Sequence, residues 1–300
     1  MKKLLVTGGT VFVSKFTAKY FSAHGYEVYV LNRNTREQVR GVTLIEADRH
    51  ALGDRLKKYG FDAVVDVTAY NGGDIAALTD ALGKFGTYIM ISSSAVYPET
   101  AAQPFTEETE TGENKFWGAY GTGKIEAEKE LLKRVPDAYI LRPPYLYGEM
   151  NNVYRESFVF DCAVSGRKFY LPREGEMKLQ FFDVSDLCRF IEIILNEKPK
   201  EHIFNVGNSE SVTVKEWVEM CYACAGKDPD YVNVTDGTEQ RSYFSFYDYE
   251  YALDVSKQQK LMPETVPLTE GLKKAYEWYK ENEGEVRKKP FIKYIDGNMK

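Results

Sequence analysis

Tyr120 and Lys124 are the two residues whose types and spacing suggest catalysis most directly. They are the ends of the string Tyr-Gly-Thr-Gly-Lys, and on a helix a spacing of four places both side chains on one face, one turn apart. An ammonium group beside a phenol favours the phenolate. Such a pair could exchange a proton with a hydroxyl group of a substrate. The spacing alone is common on ordinary helices, so its weight depends on the surrounding sequence.

A run of serines strengthens this interpretation. Ser92, Ser93 and Ser94 end an apolar, strand-like segment and are followed within a few positions by Tyr97. A serine at the end of a strand beside the Tyr/Lys helix could hydrogen-bond the reacting oxygen and stabilise its developing charge.

The first apolar segment leads into a glycine-containing turn. Residues 7–14 read Thr-Gly-Gly-Thr-Val-Phe-Val-Ser and precede a helical pattern. Such a turn lets backbone amides and a helix N-terminus face a pyrophosphate group. Val11 and Ser14 stand where dinucleotide-binding turns usually have glycine, so a weakened or reoriented site is an alternative.

The end of the second predicted strand bears on the choice of cofactor. Asn32 and Arg33 stand there, and Arg36 follows one turn later. A carboxylate at this point would bind the ribose hydroxyls of NAD. The missing acid and the added guanidinium groups favour a 2′-phosphate, so we expect NADP, with NAD as the alternative.

Composition and charge exclude several classes of protein. The chain has 300 residues and a net charge of −6, which argues against a nucleic-acid binder because such a protein needs a basic face. The apolar run after Lys3 is too short for a signal peptide and no segment is long enough to span a membrane, so we expect a cytoplasmic protein.

Cys221 and Cys224 are interpreted as packing residues of a helix, and no metal site is expected.

Strand-like and helical segments alternate through the first two-thirds of the chain. This alternation predicts an α/β fold with a doubly wound parallel Rossmann sheet and a smaller α/β substrate lobe. The Rossmann domain is expected over 1–145 and about 181–206, the substrate-binding lobe over about 146–180 and 207–300, and a loosely packed tail over 283–300. The predicted strands are Lys3–Thr7, Glu27–Leu31, Thr43–Glu46, Ala63–Val67, Thr87–Ser92, Ala138–Arg142 and His202–Val206. The predicted helices are Lys15–His24, Gly53–Tyr59, Ile75–Leu82, Lys124–Arg134, Val184–Leu195, Val214–Ala225 and Thr269–Asn282.

Together these motifs resemble the extended short-chain dehydrogenase/reductase family of NAD(P)-dependent sugar epimerases and dehydratases. The resemblance covers nearly the whole chain. It continues through Leu-Arg-Pro-Pro-Tyr-Leu-Tyr-Gly at 141–148, Gln-Phe-Phe-Asp-Val-Ser-Asp-Leu at 180–187 and Phe-Asn-Val-Gly-Asn at 204–208. It implies an epimerase or oxidoreductase that acts on a hydroxyl group of a sugar or nucleotide sugar.

The resemblance also implies roles for individual residues. Counting back from Tyr97 assigns the catalytic hydroxyl to Ser93, with Ser94 as the alternative. Tyr120 would be the general acid/base, and Lys124 would assist it and hold the nicotinamide ribose. The implied cofactor-binding residues are Gly8, Gly9, Thr10, Val11, Phe12, Val13, Asn32, Arg33, Asp48, Arg49, Thr68, Ala69, Tyr70, Ser92, Lys124, Pro143 and Tyr145.

Two departures from the family pattern bear on reaction and substrate. Family dehydratases have Asp-Glu directly after the active Ser/Thr, where this chain has Ser94 and Ala95, so dehydration is disfavoured. Family epimerases contact the substrate diphosphate with an Asn and an Arg, where this chain has Tyr145 and Leu179. The cations that could contact the diphosphate in place of that Asn and Arg are Lys178, Arg155, Arg173 and Arg241. We expect the substrate to be bound by Tyr145, Lys178 and Arg241.

Two classes of function stay open. The first is an NADP-linked epimerase or reductase with a small-molecule substrate and with no nucleic-acid or membrane partner. The second is a catalytically idle relative that senses NADP or associates with RNA. The resemblance also implies a homodimer formed by the two helices that flank the active-site strand, one of them Lys124–Arg134.

Overall fold

The structure is a computed structural model that describes residues 1–299. Within them the strands are β1 Lys3–Thr7, β2 Glu27–Asn32, β3 Val42–Glu46, β4 Phe61–Asp66, β5 Phe85–Ile91, β6 Tyr139–Arg142, β7 Tyr145–Tyr147, β8 Phe169–Pro172, β9 Lys178–Leu179, β10 Phe181–Asp183, β11 Ile203–Asn205, β12 Val212–Thr213 and β13 Tyr231–Val234. The helices are α1 Phe12–Ala23, α2 Gly72–Ala81, α3 Ala119–Arg134, α4 Glu156–Val164, α5 Val184–Glu197, α6 Val214–Cys224, α7 Gln240–Tyr243, α8 Ser256–Leu261, α9 Leu268–Asn282 and α10 Phe291–Asn298.

Seven strands form one sheet in the order β11-β6-β5-β4-β1-β2-β3, and every neighbouring pair is parallel. The central strands are apolar along their length, as in Leu4, Leu5 and Val6 of β1, which are fully buried. Helices cover both faces of such a sheet, so its strands need no alternation of polar and apolar residues. The predicted fold class, a doubly wound parallel Rossmann sheet, is confirmed.

The strand order reverses between β1 and β4. From β1 the chain proceeds outward through β2 and β3 and then returns to place β4 on the other side of β1. The carboxyl ends of β1 and β4 are therefore neighbours at the switch point, where open parallel sheets bind their ligands. The glycine turn follows β1, and Thr68 to Tyr70 follow β4.

The chain divides into two units. The first contains Met1–Pro144, Val184–Gly207 and Leu253–Thr265, and the second contains Tyr145–Asp183, Asn208–Ala252 and the described part of 266–300. The segment Leu253–Thr265 differs from the sequence prediction, which assigned it to the substrate lobe. It packs in the first unit because Leu253 forms a bridge with Phe105 and the Gln258 side chain accepts a hydrogen bond from the Gly207 amide at 2.6 Å.

The second unit contains three two-stranded sheets, β10-β7, β12-β9 and β13-β8, together with α4, α6, α7, α9 and α10. Its core is largely aromatic, as the stacking of Trp217 on Phe181 shows, with ring centroids 5.7 Å apart. On α6, Cys221 is buried and Cys224 is partly buried, and burial raises the pKa of both thiols. Both are therefore poor nucleophiles at neutral pH.

Two predicted features are wrong. Residues 53–58 form consecutive turns rather than the predicted helix, with backbone bonds that span three residues, such as the Lys57 amide donating to the Asp54 carbonyl at 3.1 Å. The turns bury the periodic Leu52 and Leu56. Residues 283–299 are not a loose tail, since they include α10, whose Phe291 and Ile295 are buried. The Phe291 ring packs against Phe158 with centroids 5.2 Å apart. No described helix is long and apolar enough to cross a bilayer.

Candidate active site

Helix α3 carries Tyr120 and Lys124 to the carboxyl ends of β4 and β5. A Cβ atom added at Gly121 would lie 2.4 Å from the Ala95 carbonyl oxygen, in the turn after β5. One added at Gly123 would lie 2.4 Å from the Tyr70 carbonyl oxygen, in the loop after β4. The helix therefore approaches both loops more closely than any larger residue permits. The two glycines within Tyr-Gly-Thr-Gly-Lys thus seat the Tyr/Lys face between two strand ends.

The ammonium group of Lys124 is buried at this junction. The residue is 2% exposed, and its Nζ donates hydrogen bonds to the carbonyl oxygens of Ala69 and Ile91, both at 2.8 Å. The Nζ also lies 5.2 Å from the Tyr70 ring centroid and 5.9 Å from the Tyr120 ring centroid. Burial lowers the pKa of Lys124 to about 8, so the structure joins Tyr120 to a lysine that releases its proton unusually easily.

The three consecutive serines have different environments. Ser92 is buried and its Oγ donates to Glu128 Oε1 at 2.5 Å. This bond uses the one proton that the Ser92 hydroxyl can donate. Ser94 is buried and its backbone amide donates to the Pro143 carbonyl at 2.9 Å. Ser93 is partly exposed, and its Oγ accepts a hydrogen bond from the Ala95 amide at 3.1 Å, which favours Ser93 as the serine that faces a ligand.

Glu128 and Arg142 form a buried pair that the sequence analysis did not single out. Arg142 Nη2 lies 2.6 Å from Glu128 Oε2, and each side chain is at most 6% exposed. Arg142 Nη1 also donates to the Tyr97 hydroxyl at 2.9 Å. The pair holds the end of β5, through Ser92, against α3 and β6. The sequence contains one indication of the role of Glu128: it lies four residues after Lys124, and so on the same face of the same helix.

The turn after β1 is a tight turn that two glycines in the left-handed region make possible. Gly8 and Gly9 adopt φ angles of +91° and +88°, and a Cβ at Gly9 would lie 2.6 Å from Val30 Cγ1. Val11 has an extended backbone with φ −139°, which any residue tolerates. Phe12 opens α1 with a φ of +34°, a strained value for a bulky residue. Glycine is therefore present at two of the three positive-φ positions of this turn, and the third is occupied by Phe12.

Asn32 has a different role from the acid that it replaces. Its Nδ2 donates to the Gly8 carbonyl at 2.6 Å and to Gln38 Oε1 at 3.0 Å, and its Oδ1 accepts from the Asn34 amide at 2.8 Å. The side chain thus ties the glycine turn to the end of β2. Arg33 is exposed, and in the described part of the chain it has no carboxylate partner.

The Arg49 guanidinium is bound by groups of the protein itself. It forms an ion pair with Asp66, which is 0% exposed, and donates to Thr68 Oγ1 and to the Asp74 carbonyl, both at 3.0 Å. Burial is the largest single influence on the pKa of Asp66 and raises it, but the Arg49 charge and the hydrogen bonds from Arg49, Tyr88 and Thr7 together lower it below its ordinary value. These contacts hold the loop after β4 in place. Asp48 is exposed and accepts a hydrogen bond from the His50 amide at 2.8 Å.

In the second unit the candidate cations fall into two groups. Lys178 is exposed, and Arg173 is paired with Asp248 at 2.6 Å. The guanidinium carbons of Arg155 and Arg241 instead lie over aromatic rings, 5.0 Å from the Tyr145 centroid and 4.7 Å from the Tyr247 centroid respectively. Burial lowers the pKa of Arg241, and the charge of Arg155 acts in the same direction. Neither arginine has a carboxylate partner among residues 1–299.

Comparison with known proteins identifies the family. The model of the NAD dependent epimerase/dehydratase family matches residues 4–207, which is most of the first unit and part of the second. The chain belongs to this family. Its members are NAD-dependent epimerases and dehydratases, so an oxidoreductase-type enzyme with a nicotinamide cofactor and a small-molecule substrate follows from membership.

Individual relatives span most of the chain. It is 27% identical to the chloroplast stem-loop binding protein of 41 kDa b of Arabidopsis thaliana, over 92% of this chain and 78% of that protein. It is 26% identical to UDP-glucose 4-epimerase of Corynebacterium glutamicum, over 75% of this chain and 80% of the other. Among solved structures, dTDP-glucose 4,6-dehydratase from Bacillus anthracis in complex with NAD superimposes with a TM-score of 0.76 at 19% identity, over 96% of this chain and 99% of that chain. This last likeness shows the fold.

Proposed function

We propose that the protein is an NADP-linked epimerase or oxidoreductase that acts on a hydroxyl group of a sugar or nucleotide sugar through Ser93, Tyr120 and Lys124. The observation that carries this proposal is the seating of α3, which brings Tyr120 and the buried Lys124 ammonium to the strand ends that precede Ser93. We assign the dinucleotide to the first unit and the sugar to the second.

Each side chain has a role that its surroundings support. Nicotinamide, when bound, supplies hydride transfer. Tyr120 exchanges a proton between its phenol oxygen and the substrate hydroxyl, and the charge of Lys124 favours the phenolate. Ser93 Oγ donates to the same substrate oxygen as charge develops on it. Dehydration needs a further acid beside Ser93, and Ser94 and Ala95 supply none.

The preference for NADP rests on the end of β2. Asn32 uses its side chain on the Gly8 carbonyl and on residues 34 and 38, so it offers no acceptor for ribose hydroxyls. Arg33 and Arg36 are exposed beside it and would pair with a 2′-phosphate. The phosphates would lie at the N-terminus of α1, facing residues 8–13.

A nucleotide sugar is supported by the two arginines in the second unit. Arg155 and Arg241 lie on aromatic rings without a carboxylate partner in the described chain. A phosphate group would supply the missing charge, and the aromatic rings would bind a base or sugar. Tyr145 is buried at 4% exposure within this cluster. Lys178 is the weakest of the candidates, because its side chain is exposed.

The first test is a titration of the purified protein with NADPH and NADH, followed by fluorescence, and then turnover with a panel of nucleotide sugars. Binding of NADPH more tightly than NADH, together with product formation that Tyr120→Phe abolishes, would support the proposal. If neither dinucleotide binds or raises the melting temperature, the enzyme proposal fails.

A second candidate function is RNA binding without turnover. It is favoured by the similarity over 92% of this chain to a protein named for stem-loop binding, whereas the net charge of −6 opposes it. A filter-binding assay with a stem-loop RNA, with and without NADPH, distinguishes the two functions. We also propose a homodimer, to be tested by light scattering.

A further inference from the structure

A cavity of about 550 Å³ opens at the amino edge of the seven-stranded sheet. Four residues that line it, Lys3, Phe61, Phe85 and Tyr139, are the first residues of β1, β4, β5 and β6. Because the strands are parallel, this edge is opposite the carboxyl edge that carries the glycine turn and Lys124. Every residue that lines the cavity belongs to the first unit. The cavity has the size of a small-molecule site and is separate from the site proposed for the dinucleotide.

Three lysines line this cavity, namely Lys2, Lys3 and Lys198. None of them forms an ion pair with a carboxylate of residues 1–299. The carboxylates of Asp62 and Asp137 also line it, and Asp62 Oδ2 accepts a hydrogen bond from the Lys3 backbone amide at 2.6 Å. The lining therefore carries more positive than negative charge, which favours an anionic ligand over a cationic one.

Lys198 stands at a position where its side chain has a cost. It follows the end of α5 with a φ of +49°, and its amide donates to the Ile194 carbonyl at 3.0 Å. Glycine is the usual residue at such a helix end, because it has no Cβ atom to strain a left-handed backbone. The chain therefore carries an ammonium group at the cavity in place of the residue that the backbone favours, which points to a role for that group.

The imidazole of His202 is a further polar group at the cavity. Its ring stacks on that of Tyr139, with centroids 4.7 Å apart. Its Nδ1 is enclosed and has no hydrogen-bond partner within the part of the chain that the structure describes. Enclosed polar atoms nearly always have a partner, so this nitrogen indicates a bound group that forms a hydrogen bond with it.

We propose that this cavity binds a small phosphate-bearing molecule that also has a planar ring, which is the chemistry of a nucleotide. The lysine ammonium groups pair with the phosphate, and the stacked rings of Tyr139 and His202 contact the planar ring. The carboxylates of Asp62 and Asp137 accept hydrogen bonds from ribose hydroxyls, which inorganic phosphate lacks. The proposal does not depend on the proposed function, and the ligand and a dinucleotide can be bound at the same time.

The test titrates the full chain with AMP, UMP and inorganic phosphate in the presence of saturating NADPH. Backbone amide signals followed by NMR locate each bound probe, and calorimetry gives its affinity. Lys198→Gly removes the ammonium and suits the φ of +49°, so this variant should fold at least as well as the wild type. Lys133→Ala is the matched control, because it removes an exposed lysine of α3.

We expect AMP or UMP to shift the amide signals of residues 61–63 and 85–87, and to bind roughly ten-fold more weakly to Lys198→Gly. Lys133→Ala should bind the nucleotide as tightly as the wild type does. Inorganic phosphate should bind more weakly than the nucleotides, because it makes no contact with the rings. A purely structural role of Lys198 would change the melting temperature and leave the affinity for the nucleotide unaltered.

Three results would overturn the proposal. The first is that neither nucleotide binds at millimolar concentration. The second is that the shifted amide signals lie outside the cavity, for example at residues 8–13 or in the second unit. The third is that Lys198→Gly binds the nucleotide as tightly as the wild type. If the wild type binds no NADPH, the proposed function fails, whereas the location of the shifted signals still decides this proposal.

Discussion

Replacement of Arg49 by methionine tests the role of the buried ion pair that Arg49 forms with Asp66 at the carboxyl end of β4. The variant keeps the aliphatic volume of the side chain but leaves the Asp66 carboxylate, which is 0% exposed, without its cation. Removing one partner of a buried pair costs about 3–5 kcal/mol. Asp66 would still accept hydrogen bonds from Thr7 Oγ1 at 2.7 Å and the Tyr88 hydroxyl at 2.6 Å. We therefore expect the free energy of unfolding to fall by about 3 kcal/mol, the lower end of that range. The whole free energy of unfolding of a globular protein is about 5–15 kcal/mol.

The loss is measured by urea unfolding monitored by circular dichroism. The double variant Arg49→Met/Asp66→Asn should recover part of it, because no uncompensated charge is then buried. The loss should also depend on pH. Since the pKa of Asp66 is lowered in the folded protein, the pair contributes stability above the ordinary value of an aspartate, and that contribution disappears as the pH falls through the folded value.

The titration of Lys124, followed by NMR of protein with ¹³C-labelled lysine, provides a second, independent readout. Burial is the main cause of its low pKa; the Asp66 charge acts to raise that pKa and the Arg49 charge to lower it. Arg49→Met should therefore raise the pKa of Lys124, and Asp66→Asn should lower it. Shifts in the same direction, or an Arg49→Met protein as stable as the wild type, would refute the assignment of Arg49 to the fold rather than to the cofactor.

Three further changes have expected outcomes. Asn32→Asp replaces the amide that donates to the Gly8 carbonyl at 2.6 Å with a carboxylate; NADPH titration should show affinity reduced roughly ten-fold, a loss of about 1.4 kcal/mol, and an unchanged NADPH affinity would contradict this. Tyr120→Phe should keep NADPH binding and lower turnover at least about 100-fold; turnover equal to that of the wild type would remove Tyr120 from the mechanism. Glu156 is buried and burial raises its pKa, so its contribution to stability is present below the ordinary value of a glutamate and is lost as the pH rises through the folded value. The urea concentration at the midpoint of unfolding should therefore decrease less between pH 5 and pH 8 in Glu156→Gln than in the wild type. An equal decrease in both proteins would contradict this role of Glu156.

Much of the architecture was predictable from the chain alone. Apolar runs such as Lys3–Thr7 and Glu27–Asn32 form strands of the parallel sheet where the sequence pattern places them. The helical spacing of Tyr120 and Lys124 is likewise realised on α3. These features depend on neighbouring residues, and local patterns of hydrophobicity report them. The same reasoning failed at residues 53–59, where the apolar spacing of a helix is met by successive turns closed over three residues.

The roles of several polar residues were decided only by the tertiary structure. Arg49 pairs with Asp66, 17 residues further along the chain, and only the folded chain brings the two together. Ser92 donates to Glu128 only because α3 packs against the end of β5. Asn32 faces the Gly8 carbonyl only because β1 and β2 are paired. A sequence specifies which groups are available, whereas the partner that each group finds depends on which strands and helices become neighbours, because hydrogen bonds and ion pairs act over only a few ångströms.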